Sequence, residues 1–245
     1  MADTVKNATN ASIESRRAAV SRLFAAIAPR YDVMNRLMTA GLDLAWRRRA
    51  VALLGPLGAG GPILDVGTGT ADLALILARA RPDVMIAGLD PSPEMLAVGR
   101  RKVAPRGLER RIALLRGDAL ALPCPAASCA AVVSAFTLRN VVDLPQALRE
   151  MRRVVVPGGP VLCLELSQPR VAGFSPLFRL YFTRLVPMLG ALVAGQREAY
   201  SYLPASVEAF LSPTELARAM AEAGLNGVRV VRLALGAATI HIGWR

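Results

Sequence analysis

A glycine-rich segment flanked by acids is the part of the sequence whose spacing indicates ligand chemistry most directly. It runs Asp65-Val66-Gly67-Thr68-Gly69-Thr70-Ala71-Asp72, follows an apolar stretch and opens an amphipathic one. Glycines at such a point allow a tight turn and a close approach of the backbone to a ligand. The spacing D-x-G-x-G differs from the G-x-G-x-x-G of nicotinamide enzymes. We therefore expect the turn to bind a nucleoside that carries an amino acid rather than a pyrophosphate.

Two further acids stand at the ends of the next predicted strands. Asp90 follows the second strand, where a carboxylate can accept hydrogen bonds from both ribose hydroxyls. Asp118 and Ala119 follow the third strand, where they can receive the amine and ring edge of adenine. This order is the arrangement of S-adenosylmethionine-dependent methyltransferases, so S-adenosylmethionine is the predicted cofactor. The predicted cofactor-binding residues are Asp65, Gly67, Gly69, Thr70, Asp90, Asp118 and Ala119.

Short apolar strands that alternate with helices must position this turn and these acids. The predicted strands are Pro62–Val66, Val84–Leu89, Ile112–Arg116, Ala130–Ser134, Pro160–Leu166, Val228–Leu233 and Thr239–Trp244. The predicted helices between them are Ala71–Ala80, Pro93–Val103, Leu144–Val154 and Pro213–Ala223. Such alternation implies parallel pairing. The predicted fold is α/β, of the class I Rossmann-like methyltransferase type, with a doubly wound, mostly parallel, seven-stranded sheet.

Two helical regions lie outside this alternation. An amphipathic helix is predicted where apolar residues recur at helical spacing, namely Val20, Leu23, Phe24 and Ile27. A second helix is predicted over Val33–Leu54, and residues 20–54 together should form a lid. Residues 170–211 should form an inserted helical segment, because the run Phe174–Ala194 is apolar with interspersed arginines. We expect residues 1–19 to be a disordered polar tail and residues 20–245 to be a single methyltransferase domain.

Several segments resemble the ubiquinone/menaquinone biosynthesis C-methyltransferases. One runs from Ala28 to Thr39 and on to Gly41 and Trp46-Arg47, and another runs from Arg153 to Gly159 and continues in Leu164–Ser167. Phe136-Thr137-Leu138-Arg139-Asn140-Val141 is similar to the family's Phe-Gly-Leu-Arg-Asn-Val segment. Further similarity at residues 199–207 and 240–243 extends the resemblance from about Val20 to the end of the chain.

Three departures from the family pattern concern the site. Ala71 and Thr137 stand where the family usually has glycine, and Leu44 stands where arginine is common. Ala71 fits the turn if its φ is negative. Thr137 and Leu44 are expected nearer the substrate than the cofactor, so they bear on the identity of the methyl acceptor.

The resemblance implies C-methylation of a prenylated quinol, with demethylmenaquinol as the first candidate. A 2-polyprenyl-6-methoxy-1,4-benzoquinol, another small-molecule acceptor, and a non-catalytic cofactor-binding role in a quinone-synthesis complex remain alternatives. Arg139 is the predicted catalytic cation that stabilises a phenolate, with Asn140 as an orienting donor. The alternatives without a catalytic role are that Arg139 forms a surface ion pair and that Asn140 caps a helix. Tyr31, Asp32 and Asn35 are predicted to contact the substrate, although Asp32 and Asn35 equally suit a role within the helix junction.

Composition limits the partners and the compartment. Thirty basic and eighteen acidic residues give a net charge of +12. This charge fits a generally basic surface and an anionic membrane surface equally well, whereas the sequence has no aromatic-and-basic platform for nucleic acid. Three cysteines and a single histidine, His241, do not suggest a disulfide framework or a metal site. We expect a cytoplasmic protein, or one attached peripherally to the inner face of the membrane, and a homodimer by analogy with the family.

Overall fold

A seven-stranded sheet organises the residues that the computed structural model describes, which are 18–58, 61–169, 171, 173–186, 188 and 197–245. Its strands are β1 (Ile63–Val66), β2 (Ile86–Asp90), β3 (Ile112–Arg116), β4 (Ala131–Ala135), β5 (Pro160–Leu166), β6 (Asn226–Leu233) and β7 (Ala238–Trp244). They lie in the order β3-β2-β1-β4-β5-β7-β6. The first five strands of that order pair in parallel, and β7 runs antiparallel to both β5 and β6. The predicted doubly wound, mostly parallel sheet is confirmed.

Nine helices connect or precede these strands within the described ranges. They are α1 (residues 18–27), α2 (Tyr31–Thr39), α3 (Leu42–Leu53), α4 (Asp72–Ala80), α5 (Pro93–Val103), α6 (Leu144–Val154), α7 (Phe174–Leu180), α8 (Arg197–Ala209) and α9 (Pro213–Glu222). Helices α3, α4 and α5 bury apolar side chains in one core, and α6 and α9 bury theirs in a second. In β1, Ile63 faces the first core and Leu64 the second, as the two-residue period of a strand requires. The sheet is therefore covered on both faces.

The strand order places a crevice above β1 and its neighbours. The chain moves outward from β1 to β2 and β3, and then returns to the other side of β1 as β4. In open α/β sheets, ligands bind at the carboxyl ends of the strands where the order reverses in this way. The glycine-rich turn follows β1, Asp90 ends β2, and Asp118 follows β3. The topology thus brings the three predicted cofactor elements to one edge.

The N-terminal region contains a break that the sequence pattern did not predict. One helix was predicted over Val33–Leu54, but the structure has α2 and α3 separated at Ala40 and Gly41. Both residues are left-handed, with φ of 50° and 77°, which ends α2 and redirects the chain. Helix α3 buries Trp46, Ala50 and Val51 in the first core. The break therefore turns α2 towards the segment that follows β5, while α3 stays packed on the sheet.

Helix α2 packs against the segment that follows β5. Met34 and Met38 share an apolar cluster with Met95 of α5, Val186 and Val207. Tyr181, in a π turn after α7, also donates a hydrogen bond from its hydroxyl to the Met38 carbonyl at 2.9 Å. The predicted helices after β5 therefore lie against the predicted lid. Residues 1–17 and 189–196, which include most of the predicted tail and the end of the apolar run, are outside the described residues.

The lengths of the described helices bear on membrane insertion. Across the described residues, every helix is too short or too polar to traverse a lipid bilayer. The long uncharged run from Ala119 to Leu138, which contains two prolines, forms turns and β4.

Candidate active site

The glycine-rich turn is held against the end of β2 by backbone hydrogen bonds. The amides of Gly67 and Thr68 both donate to the Leu89 carbonyl, at 2.7 and 3.0 Å. Gly67 has a φ of +73° and Gly69 a φ of +53°. A β-carbon added at Gly69 would meet no atom within 4 Å, so the backbone there borders open space. The turn therefore presents bare backbone to the crevice, as a closely bound ligand requires.

Asp90 is fixed by the turn and by the helix that follows it. Its Oδ2 accepts a hydrogen bond from the Gly69 amide at 2.8 Å, and its Oδ1 accepts one from the Ser92 amide at 2.9 Å. Burial raises the pKa of the Asp90 carboxyl, and the two backbone donors oppose that change. A carboxylate has about four lone-pair positions, so each oxygen can still accept a hydroxyl. Asp90 is thus oriented to bind a vicinal diol such as ribose.

A cavity of about 330 Å³ lies above the turn and is here named the cofactor cavity. Its walls include all the predicted cofactor residues, namely Asp65, Gly67, Gly69, Thr70, Asp90, Asp118 and Ala119. Asp118 is oriented by a hydrogen bond from the Leu120 amide to its Oδ1 at 2.9 Å. Gly117 must lack a side chain, because a β-carbon there would lie 2.4 Å from Leu89 Cδ1. With open backbone at Gly69 and two oriented acids, the cavity fits S-adenosylmethionine.

Asp65 is the most deeply buried acid of the cofactor cavity. It is 1% exposed, and the Thr68 hydroxyl donates a hydrogen bond to its Oδ2 at 2.7 Å. Burial raises the pKa of this carboxyl to about 7, against the opposing effects of Thr68 and Arg47. The pKa of Asp65 therefore lies close to neutral pH, where a nearby cationic group would favour its charged form.

Ala71 does not have the negative φ on which its fit to the turn depended. Its φ is +66°, in the left-handed region, although a negative φ was the condition for alanine to fit. A β-carbon in that region meets the following carbonyl oxygen, at a cost of about 1–2 kcal/mol. Ala71 is completely buried at the start of α4. The turn therefore carries backbone strain directly beside the cofactor cavity.

Thr137 also lies elsewhere than predicted. It was expected nearer the substrate, but its side chain packs on the glycine-rich turn and lines the cofactor cavity. Its hydroxyl lies 3.2 Å from the Gly67 carbonyl, to which it donates. A β-carbon at Gly67 would fall 2.2 Å from Thr137 atoms. The threonine thus fills the space that glycine at position 67 leaves.

A second cavity, of about 550 Å³, adjoins the first and is here named the acceptor cavity. It lies between α2, α3 and the segment after β5, and its walls are mainly apolar, including Met38, Trp46 and Phe178. Tyr31 and Phe136 line both cavities. Phe136 has a φ of +61°, and the Arg47 guanidinium lies 4.8 Å from the centre of its ring. A strained aromatic residue therefore forms part of the wall between the two spaces.

The two predicted catalytic residues, Arg139 and Asn140, line different cavities. Arg139 lines the acceptor cavity, and its Nη1 donates to Glu165 Oε2 at 2.9 Å. Both side chains are buried, so this pair is not on the surface. Asn140 lines the cofactor cavity and accepts a hydrogen bond from the Tyr202 hydroxyl at 3.1 Å. Helix α6 is capped by Asp143, so Asn140 does not cap it.

Glu165 was not singled out for a role by its sequence, but it organises the turn that contains Arg139. It is 1% exposed, and its Oε1 accepts from the Leu138 amide at 2.7 Å while Oε2 binds Arg139. Burial raises the pKa of Glu165, and Arg139 opposes that rise. Arg139 Nε is buried and has no hydrogen-bond partner among the described residues. A donor at the acceptor cavity is thus left for a ligand.

The three predicted substrate residues have different surroundings. Tyr31 contacts both cavities and Asn35 lines the acceptor cavity. Asp32 is instead engaged by the protein: Thr70 donates to its Oδ1 at 2.5 Å and Lys102 to its Oδ2 at 2.6 Å. Its carboxylate therefore joins α2 to the glycine-rich turn and to α5, and neither of its two partners belongs to the helix junction.

A chain of ion pairs extends from Asp32 to α3. Lys102 binds both Asp32 and Asp72, and Arg36 binds both Asp72 and Asp43. Burial alone would raise the pKa of Asp72, but Lys102 and the neighbouring arginines outweigh it and lower that pKa. The network joins the N-terminal helices to α4 and α5 at the edge of the cofactor cavity.

Other titratable groups lie away from the two cavities. His241 is fully buried in β7, with Nε2 2.8 Å from the Pro213 carbonyl oxygen, and burial lowers its pKa. It is therefore a histidine of the core. The cysteines at 124, 129 and 163 are free thiols. Within the described ranges, no group of three His, Cys, Asp or Glu side chains is arranged to hold a metal ion.

Two cavity residues received no role from the sequence. Arg47 is the first of three consecutive arginines on α3. Its side chain is buried, whereas the two arginines that follow it are exposed. Nothing in that run distinguishes the buried guanidinium, since the helix has little amphipathic pattern there. Phe136 belongs to a segment with family resemblance, but its left-handed backbone has no sequence signal.

Sequence comparison relates the chain to a known family of methyltransferases. A family model described as the ubiE/COQ5 methyltransferase family matches residues 11–245. A demethylmenaquinone methyltransferase of Thermus thermophilus is 48% identical over 223 residues, which cover 91% of this chain and 100% of the relative. A ubiquinone/menaquinone biosynthesis C-methyltransferase UbiE of Geobacter sulfurreducens is 43% identical over 222 residues, covering 90% of this chain and 86% of the relative.

Solved structures share the fold at lower identity. An S-adenosylmethionine-dependent methyltransferase of Thermotoga maritima superposes with a TM-score of 0.64 at 20% identity, covering 91% of this chain and 98% of that one. A phosphoethanolamine N-methyltransferase of Haemonchus contortus, solved with S-adenosylmethionine, has a TM-score of 0.57 at 14% identity and covers 81% of this chain and 52% of its own. The predicted class I methyltransferase fold and its cofactor are thereby confirmed, and the chain belongs to the ubiE/COQ5 methyltransferase family.

Proposed function

We propose that the protein transfers a methyl group from S-adenosylmethionine to a ring carbon of demethylmenaquinol, giving menaquinol. The observation that carries the proposal is the contact between the polar cofactor cavity and the apolar acceptor cavity along Tyr31 and Phe136. The names of the relatives support the choice of acceptor, since several act on demethylmenaquinone. The apolar walls around the second cavity suit a quinol head that carries a polyprenyl tail.

Cofactor binding assigns separate tasks to the residues of the first cavity. When bound, S-adenosylmethionine supplies an electrophilic methyl group. Asp90 holds the ribose hydroxyls, and Asp118 with the backbone of Ala119 holds adenine. Tyr31 and Phe136 exclude water along the shared wall and align the acceptor ring with the donor, which is the main contribution a protein makes to an in-line displacement.

Acceptor activation is the task proposed for Arg139. A quinol ring carbon becomes nucleophilic when the neighbouring hydroxyl releases its proton to solvent, so a donor that stabilises the phenolate lowers the barrier. After the methyl transfer, which leaves S-adenosylhomocysteine, the methylated carbon releases its own proton to solvent and the ring becomes aromatic again. Arg139 is paired with Glu165, and the pair is neutral as a whole. Arg139 therefore acts as a fixed hydrogen-bond donor through its unpartnered Nε rather than as an uncompensated charge. Asn140 and Tyr202 brace the turn from the other side.

The rim of the acceptor cavity has features that support a proposal of membrane contact. Leu42 and Leu180 line the cavity and are 46% and 57% exposed, and Leu235, beside the lining residue Ala234, is 60% exposed. Arg179 and Arg184, near this rim in sequence, are exposed and basic. Apolar side chains at the mouth and arginines near them suit a bilayer with anionic head groups. We propose that the protein takes its acceptor from such a surface, as a peripheral protein.

The deciding experiment is mass spectrometry of a reaction that contains purified protein, S-adenosylmethionine and chemically reduced demethylmenaquinone. The expected product carries one additional methyl group on the quinol ring. The Arg139→Ala variant should lose this product, whereas Arg218→Ala, at an exposed position on α9, should keep it. A parallel reaction with a 2-polyprenyl-6-methoxy-1,4-benzoquinol measures the alternative acceptor. Cofactor binding without any methylated quinol would refute the acceptor assignment.

The predicted homodimer is tested separately. Size-exclusion chromatography with light scattering should give twice the mass of the chain. A single-chain mass across micromolar concentrations would contradict the prediction without affecting the proposed reaction.

A further inference from the structure

Arg47 is a buried cation in the cofactor cavity. The residue is 5% exposed and lines that cavity from α3. Its Nη1 donates to Asp43 Oδ2 at 2.8 Å, and its guanidinium packs on the ring of Phe136. These two contacts fix the plane of the guanidinium. Its Nε is buried and has no hydrogen-bond partner within the described part of the chain.

An unpartnered guanidinium nitrogen is an unfavourable feature unless a ligand satisfies it. A buried donor without an acceptor loses its hydration and gains nothing in return. Asp43 already occupies another nitrogen of the same group. A planar anion placed in the cavity can accept from the remaining edge, and arginine suits carboxylates especially well because of its planar array of donors. The guanidinium therefore has a donor left for a ligand acceptor, and a carboxylate is well suited to that place.

The surrounding charges favour a zwitterion over a simple anion. Asp65 lines the same cavity, and the charge of Arg47 acts on its carboxyl. The other acids close to Arg47 are already neutralised, Asp43 by Arg36 and Arg47, and Asp72 by Arg36 and Lys102. A buried acid and a buried arginine on one wall complement the ammonium and carboxylate of an α-amino acid. S-adenosylmethionine carries such a group at its methionine end.

We propose that Arg47 binds the α-carboxylate of S-adenosylmethionine through Nε, and that Asp65 faces the α-ammonium group. The inference rests on the cofactor part of the proposed function and is independent of the acceptor. It gives the Trp46-Arg47 segment a direct role in cofactor binding, in addition to the packing of Trp46 in the core. It also explains why an arginine is buried on a helix whose two following arginines remain exposed.

The test compares two ligands and measures binding, not turnover. Isothermal titration calorimetry is run with S-adenosylhomocysteine and with 5′-(3-aminopropylthio)-5′-deoxyadenosine, which lacks only the carboxylate. The wild-type protein should bind the first about 10- to 100-fold more tightly, the size expected for one buried charge-assisted hydrogen-bond interaction. Arg47→Met should remove this preference by weakening S-adenosylhomocysteine while leaving the analogue's affinity nearly unchanged.

Control variants separate the ligand contact from effects on folding. Arg48→Met changes the next, exposed arginine of α3 and should keep the full preference. Arg47→Lys keeps the positive charge and should recover part of the ligand preference. This variant replaces Arg47→Met if the methionine form does not fold. Equal weakening of both ligands, or a wild-type protein that does not distinguish them, would overturn the proposal. Failure of the wild type to bind either ligand would overturn the cofactor assignment itself. Intact carboxylate preference without quinol methylation would leave this inference standing and refute the acceptor.

Discussion

Lys102 Nζ lies 2.6 Å from Asp32 Oδ2, although the two residues are seventy positions apart in the sequence. This contact joins α2 to α5 across the edge of the cofactor cavity. Asp32 also accepts a hydrogen bond from Thr70, a residue of the glycine-rich turn, and Lys102 binds Asp72 at the start of α4. The position of the N-terminal helices is therefore tied to the glycine-rich turn and to the start of α4.

Lys102→Met should loosen this connection and speed the release of cofactor. The side chains of the Lys102–Asp32 pair are about one-fifth to one-quarter exposed, so solvent screening limits the strength of this ion pair. We expect the dissociation rate of S-adenosylhomocysteine, measured by stopped-flow fluorescence, to rise about three- to tenfold. Arg101→Met, at an exposed position on the same helix, is the control. An unchanged dissociation rate would show that the contact does not restrain release.

Ala71→Gly should stabilise the protein. Glycine relieves the left-handed strain at this position, worth about 1–2 kcal/mol, and loses about 0.4–1 kcal/mol through the greater freedom of the unfolded chain. The melting temperature should therefore rise by about 1–4 °C. Ala74→Gly, at a buried helical position of α4, should lower it instead. Scanning calorimetry on both variants measures the two effects, and a fall for Ala71→Gly would contradict the strain argument.

The pH dependence of stability should carry a contribution from Asp65. Burial raises its pKa to about 7 in the folded protein, from 3.8 in the unfolded chain. Between these values the folded protein binds more protons, so this group lowers the free energy of unfolding as pH rises, by at most about 1.4 kcal/mol per pH unit.

Asp65→Asn removes this contribution. In urea unfolding without cofactor, the variant should gain stability relative to wild type between pH 5 and pH 7, and the difference should level off above pH 7. Asp83→Asn, an exposed position, should show no such trend. A constant difference between wild type and Asp65→Asn across this range would refute the raised pKa.

The Arg139–Glu165 pair allows stability and activity to be separated. Glu165→Gln leaves the Arg139 charge buried without a counter-ion, which should cost about 3–5 kcal/mol in the free energy of unfolding. The double variant Arg139→Met/Glu165→Gln removes both charges and keeps an acceptor for the Leu138 amide. It should regain most of the stability and remain inactive. Activity in the double variant would exclude Arg139 from the reaction.

Binding to lipid vesicles should depend on the rim of the acceptor cavity. Leu180→Ser and Leu235→Ser each remove an exposed leucine there. Flotation with vesicles that contain phosphatidylglycerol should show about a tenfold loss of binding for each substitution. Leu115→Ser changes a leucine of similar exposure on β3 and serves as the control. Equal binding by all four proteins would exclude this rim as the membrane surface.

The strands and the cofactor acids were predictable because each depends on a local pattern. Short apolar runs that end in Asp65 or Asp90 reveal both a strand and the polar group at its carboxyl end. Parallel topology then brings those ends together without further information. The starts of α5 and α6 were predictable for a similar reason, since each has a proline and a capping side chain in its first turn.

Features that depend on distant contacts were not predictable. The left-handed φ of Ala71 is imposed by the turn and not by alanine, so the residue type gave no sign of it. Thr137 was placed by analogy on the substrate side, whereas its position is set by the missing side chain of Gly67, seventy residues earlier. The burial of Arg47 depends on α3 meeting Phe136, and neighbouring arginines in one helix give no sign of which one is buried.

The shared wall of Tyr31 and Phe136 has a consequence for inhibitor design. Because the two cavities touch, a single compound that joins an adenosyl group to an aromatic head with an apolar tail could fill both through a linker of a few atoms. Its second end would bind at a high effective concentration once the first is held, so the affinity of the joined compound should greatly exceed that of either half. Methyltransferases whose acceptors are small and polar offer no matching apolar space, and the tail would therefore also provide selectivity.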